Sequence, residues 1–287
     1  MEKVDILDSW QGKPCALATM HGKEVAIKDL VETGLGVSIV VPAGFDTDKF
    51  GTFTREIKRD GNQLEAARRK ALAAIAETGF ELAIASEGSF GAHPTLPFVS
   101  SNLELVLLVD TKNNIEVAGH YRSSNINPQG QEVTTAEEAA LVAKKWGFPA
   151  QGIILRASKN SPRKIFKEIK SEDELIAVAK KLLGGFLVTS IYMEMDLRAH
   201  RCPARMQNIK AATEDLIKNC RSLCPECQTP GFVAVKTIPG LPCELCHLPT
   251  ELPKEIVYSC QKCHHKESRP ASGTKLVEAG QCQWCNP

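Results

Sequence analysis

Along the first 220 residues, apolar positions switch repeatedly between unbroken or alternating runs and runs spaced by three to four, which predicts strands alternating with helices. PCALATM (14–20) reads as a strand, and KEVAIKDLVE (23–32) as a helix stopped by Gly34. GVSIVVPA (36–43) is a β-branched strand, followed by the Gly- and Thr-rich stretch GFDTDKFGTFT. NQLEAARRKALAAIAETG (62–79) carries an Ala/Leu/Ile stripe at helical spacing and ends in glycine. FELAIAS (80–86) is an apolar strand, and NLELVLLVD (102–110) and IEVAGHYRS (115–123) flank TKNN as the arms of a hairpin. Further on, TTAEEAALVAKKWG and SEDELIAVAKKLLGG are helices with Thr and Ser at their caps, and GIILRAS and FLVTSIYMEM are strands. MQNIKAATEDLIKNC is a helix that leads into a cysteine-rich tail. A βα alternation broken by a hairpin predicts the α/β class, with a mixed twisted sheet flanked by helices over 1–219.

Residues 220–287 have another character. Of eleven cysteines, only Cys15, Cys202 and Cys220 lie outside four CxxC pairs: Cys224 and Cys227, Cys243 and Cys246, Cys260 and Cys263, Cys282 and Cys285. Two cysteines bracketing two residues form a knuckle that grips one ion, and two knuckles complete a tetrahedral zinc site. Eight cysteines therefore predict a small zinc-ribbon-like module with two structural zinc ions, a reading favoured over an iron–sulfur cluster by the even spacing. GFVAVKTI leads away from the first knuckle, the second follows with no return strand, and ELPKEIVYSC returns to the third. The expectation is a nested pairing, first pair with fourth and second with third, with a sequential pairing as the alternative. His247, His264 and His265 adjoin knuckles but are not needed as ligands.

Charge narrows the partners. The net formal charge is +1, and the tail from 220 on has seven Lys/Arg against six Asp/Glu. Each zinc held by four thiolates adds about two negative charges, so nucleic acid is not favoured and a structural or protein-docking role is. The N-terminal MEKVDILDSW has no apolar core of a signal peptide, and no apolar run approaches the ~18 residues of a membrane span. The expectation is a cytoplasmic protein with no membrane association.

Candidate chemistry lies in three separated stretches. ATMHGKE (18–24) puts Thr19, His21, Lys23 and Glu24 at a strand-to-helix turn, where free backbone N–H groups and the helix dipole favour phosphate. LEAARRKA (64–71) carries Glu65 and Lys70, and Glu87 closes FELAIAS, where open α/β sheets place ligands, with Gly88 and Gly91 free to bend around one. DLRAHRCPAR (196–205) clusters Arg198, His200, Arg201 and Arg205, with Asp196 placed to order Arg198. His93, in the Pro-rich loop SFGAHPTLPF, is a candidate pocket-lining residue.

Thr19 to Lys23, Gly51-Thr52-Phe53, Glu65-x-Ala67-x-x-Lys70-Ala71 and Glu87-Gly88 follow an order and spacing over 14–91 that resembles the inosine/xanthosine triphosphatase-type nucleotide pyrophosphatases. The chain departs from that family at His21, in about ten extra residues before the helix, and in its zinc tail. As a whole it also resembles a bacterial family without assigned function that has ATMHGKE, GTFT, ASEGSFG, DLRAH and four CxxC motifs. The first resemblance implies a Mg²⁺-dependent hydrolase of a nucleotide or other phosphorylated small molecule, with Glu87 and Glu65 or Glu24 on the metal and Glu87, Glu65 and Lys23 as catalytic groups. Thr19, His21, Lys70, Arg55, Lys58, Arg59, His93 and the DLRAH cations would bind phosphate or substrate. The alternative is a non-catalytic nucleotide- or nucleic-acid-binding adaptor whose zinc module recruits a protein partner. The two differ in whether Glu87, Glu65 and Lys23 converge.

Overall fold

The computed structural model describes residues 6–20, 22–45, 62–161, 164–185 and 187–286. Its main sheet has five strands in the order β2-β1-β3-β4-β5: β1 (Pro14–Ala18), β2 (Ser38–Val40), β3 (Leu82–Ala92), β4 (Ser100–Asp110) and β5 (Ile115–Ser123). β1 runs parallel to β2 and β3, and the β3-β4-β5 meander is antiparallel. The mixed sheet and its TKNN hairpin are as the sequence predicts.

The helices divide between the faces according to residue size. α2 (Glu24–Leu35) buries Ala26, Ile27 and Val31 with Cys15, Leu17, Ile84, Val106 and Leu108 on one face, where α1 (Ile6–Trp10) and α6 (Pro203–Arg221) also pack. α3 (Gln63–Thr78) lies on the other face and meets it with Ala67, Ala71 and Ala74 against Ala16, Ala18, Ala83 and Ala85. Small residues on both sides let this helix approach the sheet closely. Strands covered on both faces lose alternation, which is why CALA and LAIA read as unbroken apolar runs. α3 starts in a capping box, Asn62 with Glu65, and stops at Gly79 in the left-handed region at φ 73°.

A second sheet, β6-β9-β7-β8, is antiparallel throughout and lies between β5 and α6 in the chain. Its elements are β6 (Gly130–Val133), α4 (Ala136–Lys145), β7 (Ile153–Arg156), β8 (Ile165–Phe166), α5 (Glu172–Leu183) and β9 (Ile191–Met195). It has its own apolar core of Val133, Ile153, Leu155, Ile191 and Met193 under α4 and α5. Thr135 and Ser171 cap these helices, each accepting the N–H three residues on.

The tail is a three-stranded antiparallel ribbon, β10 (Val233–Pro239), β11 (Pro253–Ser259) and β12 (Lys266–Pro270). It sits on the free edge of β5. Gln261 accepts the Glu116 N–H and donates to the Glu116 carbonyl, both at 2.9 Å, as a neighbouring strand would. From α6, Asn219 donates to the Ala118 carbonyl and Asp215 accepts from the His120 N–H. The exposed edge of the meander is thus satisfied by side chains, which blocks strand addition there. Among the described residues, no helix is long and apolar enough to cross a membrane.

Candidate functional site

The ribbon brings the eight cysteines into two sets: Cys224, Cys227, Cys260 and Cys263, and Cys243, Cys246, Cys282 and Cys285, with all four Sγ atoms of a set within 4.8 Å of one another. The first pair joins the third, and the second joins the fourth, so the nested pairing is corrected, and the sequential alternative also fails. The reason is the up-down-up course of the strands. β11 does return, but antiparallel to β10, with Ser259 opposite Val233, so the third knuckle arrives beside the first. The second knuckle lies in the connection at the far end, and β12 leads the chain back to it.

The geometry fits zinc. A tetrahedral ion with Zn–S of about 2.3 Å separates its sulfurs by about 3.8 Å. Cross-knuckle separations are 3.6 Å for Cys224–Cys263 and Cys227–Cys260, 3.9 Å for Cys243–Cys285 and 3.7 Å for Cys246–Cys282. In each knuckle the residue after the second cysteine, Gln228, His247, His264 or Asn286, donates its N–H to the carbonyl of the first. The first three of these have φ between 57° and 60°. His247 and His264 thus serve as left-handed turn residues outside both ligand sets. Four cysteines per ion close the coordination shell, the arrangement of a structural site.

The α/β body gathers a second constellation. β1 connects to β2 through α2 on one face, and β2 connects to β3 through α3 on the other. The carboxyl end of β1 is therefore a topological switch point, where α/β sheets open a crevice for ligands. Thr19 and Lys23 lie there. Lys23 donates from Nζ to the Ser86 carbonyl at 3.1 Å and to Ser86 Oγ at 3.0 Å. The Thr19 hydroxyl is buried without a hydrogen-bond partner among the described residues. α2 begins at this turn, where its N-cap residue, Lys23, makes no side-chain cap bond.

Glu87 is buried and forms an ion pair with buried Lys70 of α3. It does not end its strand, as the sequence suggested. β3 continues to Ala92, because β4 goes on pairing with it after β1 has stopped at Ala18 opposite Ala85. Glu87 is mid-strand, yet just beyond the end of β1. Gly88 and Gly91 lie within this strand and do not bend it around a ligand. A Cβ on Gly88 would run into Arg205 Nη2 and lie 2.6 Å from the Glu104 carboxylate oxygens, so this glycine makes room for a buried ion pair. Arg205 Nε donates to Glu104 Oε1 at 2.6 Å, and Arg205 Nη1 to the Leu197 carbonyl. Asn102, Asn208 and Asn125 extend the network, while Gln63 donates to the Glu87 and Leu103 carbonyls.

Three cations and two carboxylates thus meet at the switch point. Lys70 pairs with Glu87 and Arg205 with Glu104. Lys23 is the cation of the three without a carboxylate partner among the described residues. Burial and then Arg205 lower its pKa to about 8, with Lys70 adding to this and Glu87 and Glu104 acting against it. Glu104, Ser86, Gln63 and Asn208 were not among the sequence candidates. The visible signal was Asn102 and Glu104 at alternate positions of an apolar strand, which places both on one face.

The other candidates separate. Glu65 is exposed, and its carboxylate accepts the Asn62 N–H in the α3 capping box, away from Glu87. The His93 ring Nδ1 accepts the Thr95 and Leu96 N–H groups of the β3–β4 turn, and six extended residues place it about 20 Å from Glu87. Lining of the switch-point crevice by His93 is therefore corrected to turn stabilisation. Arg198 binds Asp196 Oδ2 at 2.6 Å and Glu168 Oε1 at 2.7 Å, His200 Nε2 lies 3.0 Å from the same Glu168 oxygen, and Arg201 donates to the Ile169 carbonyl. Partial burial opposes the Glu168 charge, but His200 and Arg198 outweigh it and lower its pKa. The DLRAH stretch joins the small sheet to the body: Asp196 donates its N–H to the Gly152 carbonyl, and His200 stands against Gly22 of the β1–α2 turn. His21, Arg55, Lys58, Arg59 and the Gly51–Phe53 element lie outside the described residues.

An α/β body with a polar switch-point cluster, carrying a ribbon with two tetracysteine metal sites, is the class these elements define. The chain belongs to the family described as a domain of unknown function, DUF6671, whose profile matches residues 70–287. That match takes in Lys70, Glu87, Glu104, Arg205 and all eight paired cysteines, and leaves out β1, Lys23 and most of the stretch on which the pyrophosphatase resemblance rests. Among curated proteins, the comparison finds no match.

Proposed function

We propose that the α/β body binds a nucleotide or related phosphorylated small molecule at the switch point, and that the zinc ribbon is a structural module that also docks a protein. The observation that carries this reading is Lys23, which faces neutral Ser86 while its two neighbouring cations are already paired with carboxylates. An incoming phosphate would complete its charge, with the Thr19 hydroxyl and the first N–H groups of α2 as donors. The DLRAH cations are engaged with Asp196, Glu168 and the backbone, so they support the walls of the crevice. Leu245 and Trp284 occupy positions inside the knuckles of the second metal site and are exposed, 69% and 60%, which favours a protein partner there.

Hydrolysis is the finer form of the proposal. Glu65 is committed to a helix cap, so Mg²⁺ would arrive on the phosphates and take Glu87 away from Lys70. The test is to titrate zinc-loaded protein with nucleoside triphosphates and pyrophosphate, with and without Mg²⁺, while following pyrophosphate release. Binding weakened about tenfold in Lys23→Met supports the site. Turnover lost in Glu87→Gln supports hydrolysis. Saturable binding without turnover leaves a ligand-binding protein, and no binding of any phosphorylated member sinks the assignment.

A further inference from the structure

Lys23 differs from the other two cations of the cluster in a way that charge neutralisation alone does not use. Lys70 and Arg205 each hold a carboxylate, whereas among the described residues the Lys23 Nζ hydrogen-bonds to the Ser86 carbonyl and hydroxyl. This is a setting that a neutral amine can satisfy. It would donate one N–H to the carbonyl and accept the hydroxyl proton on its lone pair. Burial, then Arg205 and Lys70, disfavour a positive charge on Lys23 and outweigh the opposing pull of Glu87 and Glu104, although the side chain is only half-buried. A desolvated lysine beside other cations is the arrangement that makes an amine nucleophilic near neutral pH. Lys23 lies in the β1–α2 turn at the switch point, the turn that also holds Thr19, whose buried hydroxyl has no hydrogen-bond partner among the described residues.

We propose that Lys23 forms a Schiff base with a carbonyl compound, and that the ligand of the switch point is a phosphorylated aldehyde or ketone. The proposal rests on the phosphate-binding reading above and narrows it. In the step, the Nζ lone pair attacks the carbonyl carbon, and the C=O π electrons move to oxygen, which takes a proton. Nitrogen loses a proton to give the carbinolamine; the hydroxyl then takes a second proton and leaves as water while the nitrogen lone pair forms the C=N bond, and loss of the remaining N–H proton from that iminium gives the imine. Amine and carbonyl give imine and water, with no oxidant or reductant. Ser86 Oγ, 3.0 Å from Nζ, is placed to relay a proton. The phosphate would lie over the α2 N-terminus.

The experiment uses the full zinc-loaded chain and pyridoxal 5′-phosphate as probe. Sodium borohydride delivers hydride to the imine carbon and fixes the adduct for peptide mapping. The expected result is a single dominant adduct at Lys23, with labelling that rises as pH passes through about 8. It should be absent in Lys23→Arg, which retains helix content and zinc. Pyridoxal without phosphate is expected to label about tenfold less at equal concentration. Equal labelling of Lys23 by both probes would uphold the imine and overturn the phosphorylated ligand. Phosphate binding in the titrations with no Lys23 adduct would overturn the imine and leave the phosphate reading standing. A scatter of adducts over surface lysines, unchanged in Lys23→Arg, overturns the proposal.

Discussion

Lys23 and Gly88 decide the character of the switch point by opposite means. Burial lowers the Lys23 pKa from 10.5 to about 8, with Arg205 adding to the effect. Between these values the unfolded chain holds a proton that the folded chain has released. The contribution of Lys23 to stability therefore grows as pH rises through this window, and below about 8 both states are charged and the burial penalty is complete. Thermal melts of wild type and Lys23→Met should accordingly diverge in favour of wild type between pH 7.5 and about 10; a constant difference would mean that the amine is not desolvated. Gly88 acts through absence. Gly88→Ala places a methyl group against Arg205 and Glu104, and forcing this buried pair apart should cost about 3–5 kcal/mol in denaturant unfolding. A near-neutral result would show that the pair can shift within its pocket.

The element that most constrains the body is α6. It lies across β4 and β5, carries Arg205 and Asn208 into the polar network, and closes the edge of β5 with Asp215 and Asn219. Gly119 of β5 is what allows this approach, since a Cβ there would strike the backbone of α6 at Ala212 and Leu216. Backbone cannot rotate away as a side chain can, so Gly119→Ala should destabilise the fold by more than about 3 kcal/mol. It should also loosen the ribbon, because Gln261 docks on the same strand at Glu116. Hydrogen exchange at Glu116 and His120 would report both effects, and unchanged protection would rule out the coupling. Such a contact is not legible in IEVAGHYRS, where the glycine looks like a weak point in a strand. Its meaning depends on a helix about 95 residues away along the chain.

At the scale of the molecule, the ribbon and the body have different sources of stability. The helices α1–α6 all precede the ribbon, while the described apolar cluster of the ribbon is Phe232 and Tyr258 beside the first metal site. Removal of zinc by a chelator should therefore unfold the ribbon while leaving the far-ultraviolet helical signal almost intact. Loss of the helical signal with the metal would mean that the body depends on the ribbon. The interleaved pairing gives a sharper test. Replacing Cys224 and Cys260 together by serine removes ligands from one site and should leave one zinc bound. Replacing Cys224 and Cys282 damages both sites and should leave none, whereas a nested pairing would retain one. Metal content of the purified variants decides between them.

The order of the longer strands and helices, the caps at Thr135 and Ser171, and the metal-ligating role of the eight paired cysteines were determined by local sequence, whereas the short α1, β6 and β8 were not legible there. Periodicity, cap chemistry and CxxC spacing act within a few residues of one another, so their signals survive in one dimension. The pairing of the knuckles did not, because it depends on the direction in which three strands run. The length of β3 did not, because it is set by its partner β4 and not by its own residues. Glu65 and Glu87 were both expected as metal-holding, catalytic carboxylates. Tertiary structure separated them, leaving one as an exposed cap and burying the other against Lys70. Glu104 reached the cluster only because α6 brings Arg205 back across β4. A charge buried among distant neighbours takes its chemistry from their field, and only the folded chain brings those neighbours within range.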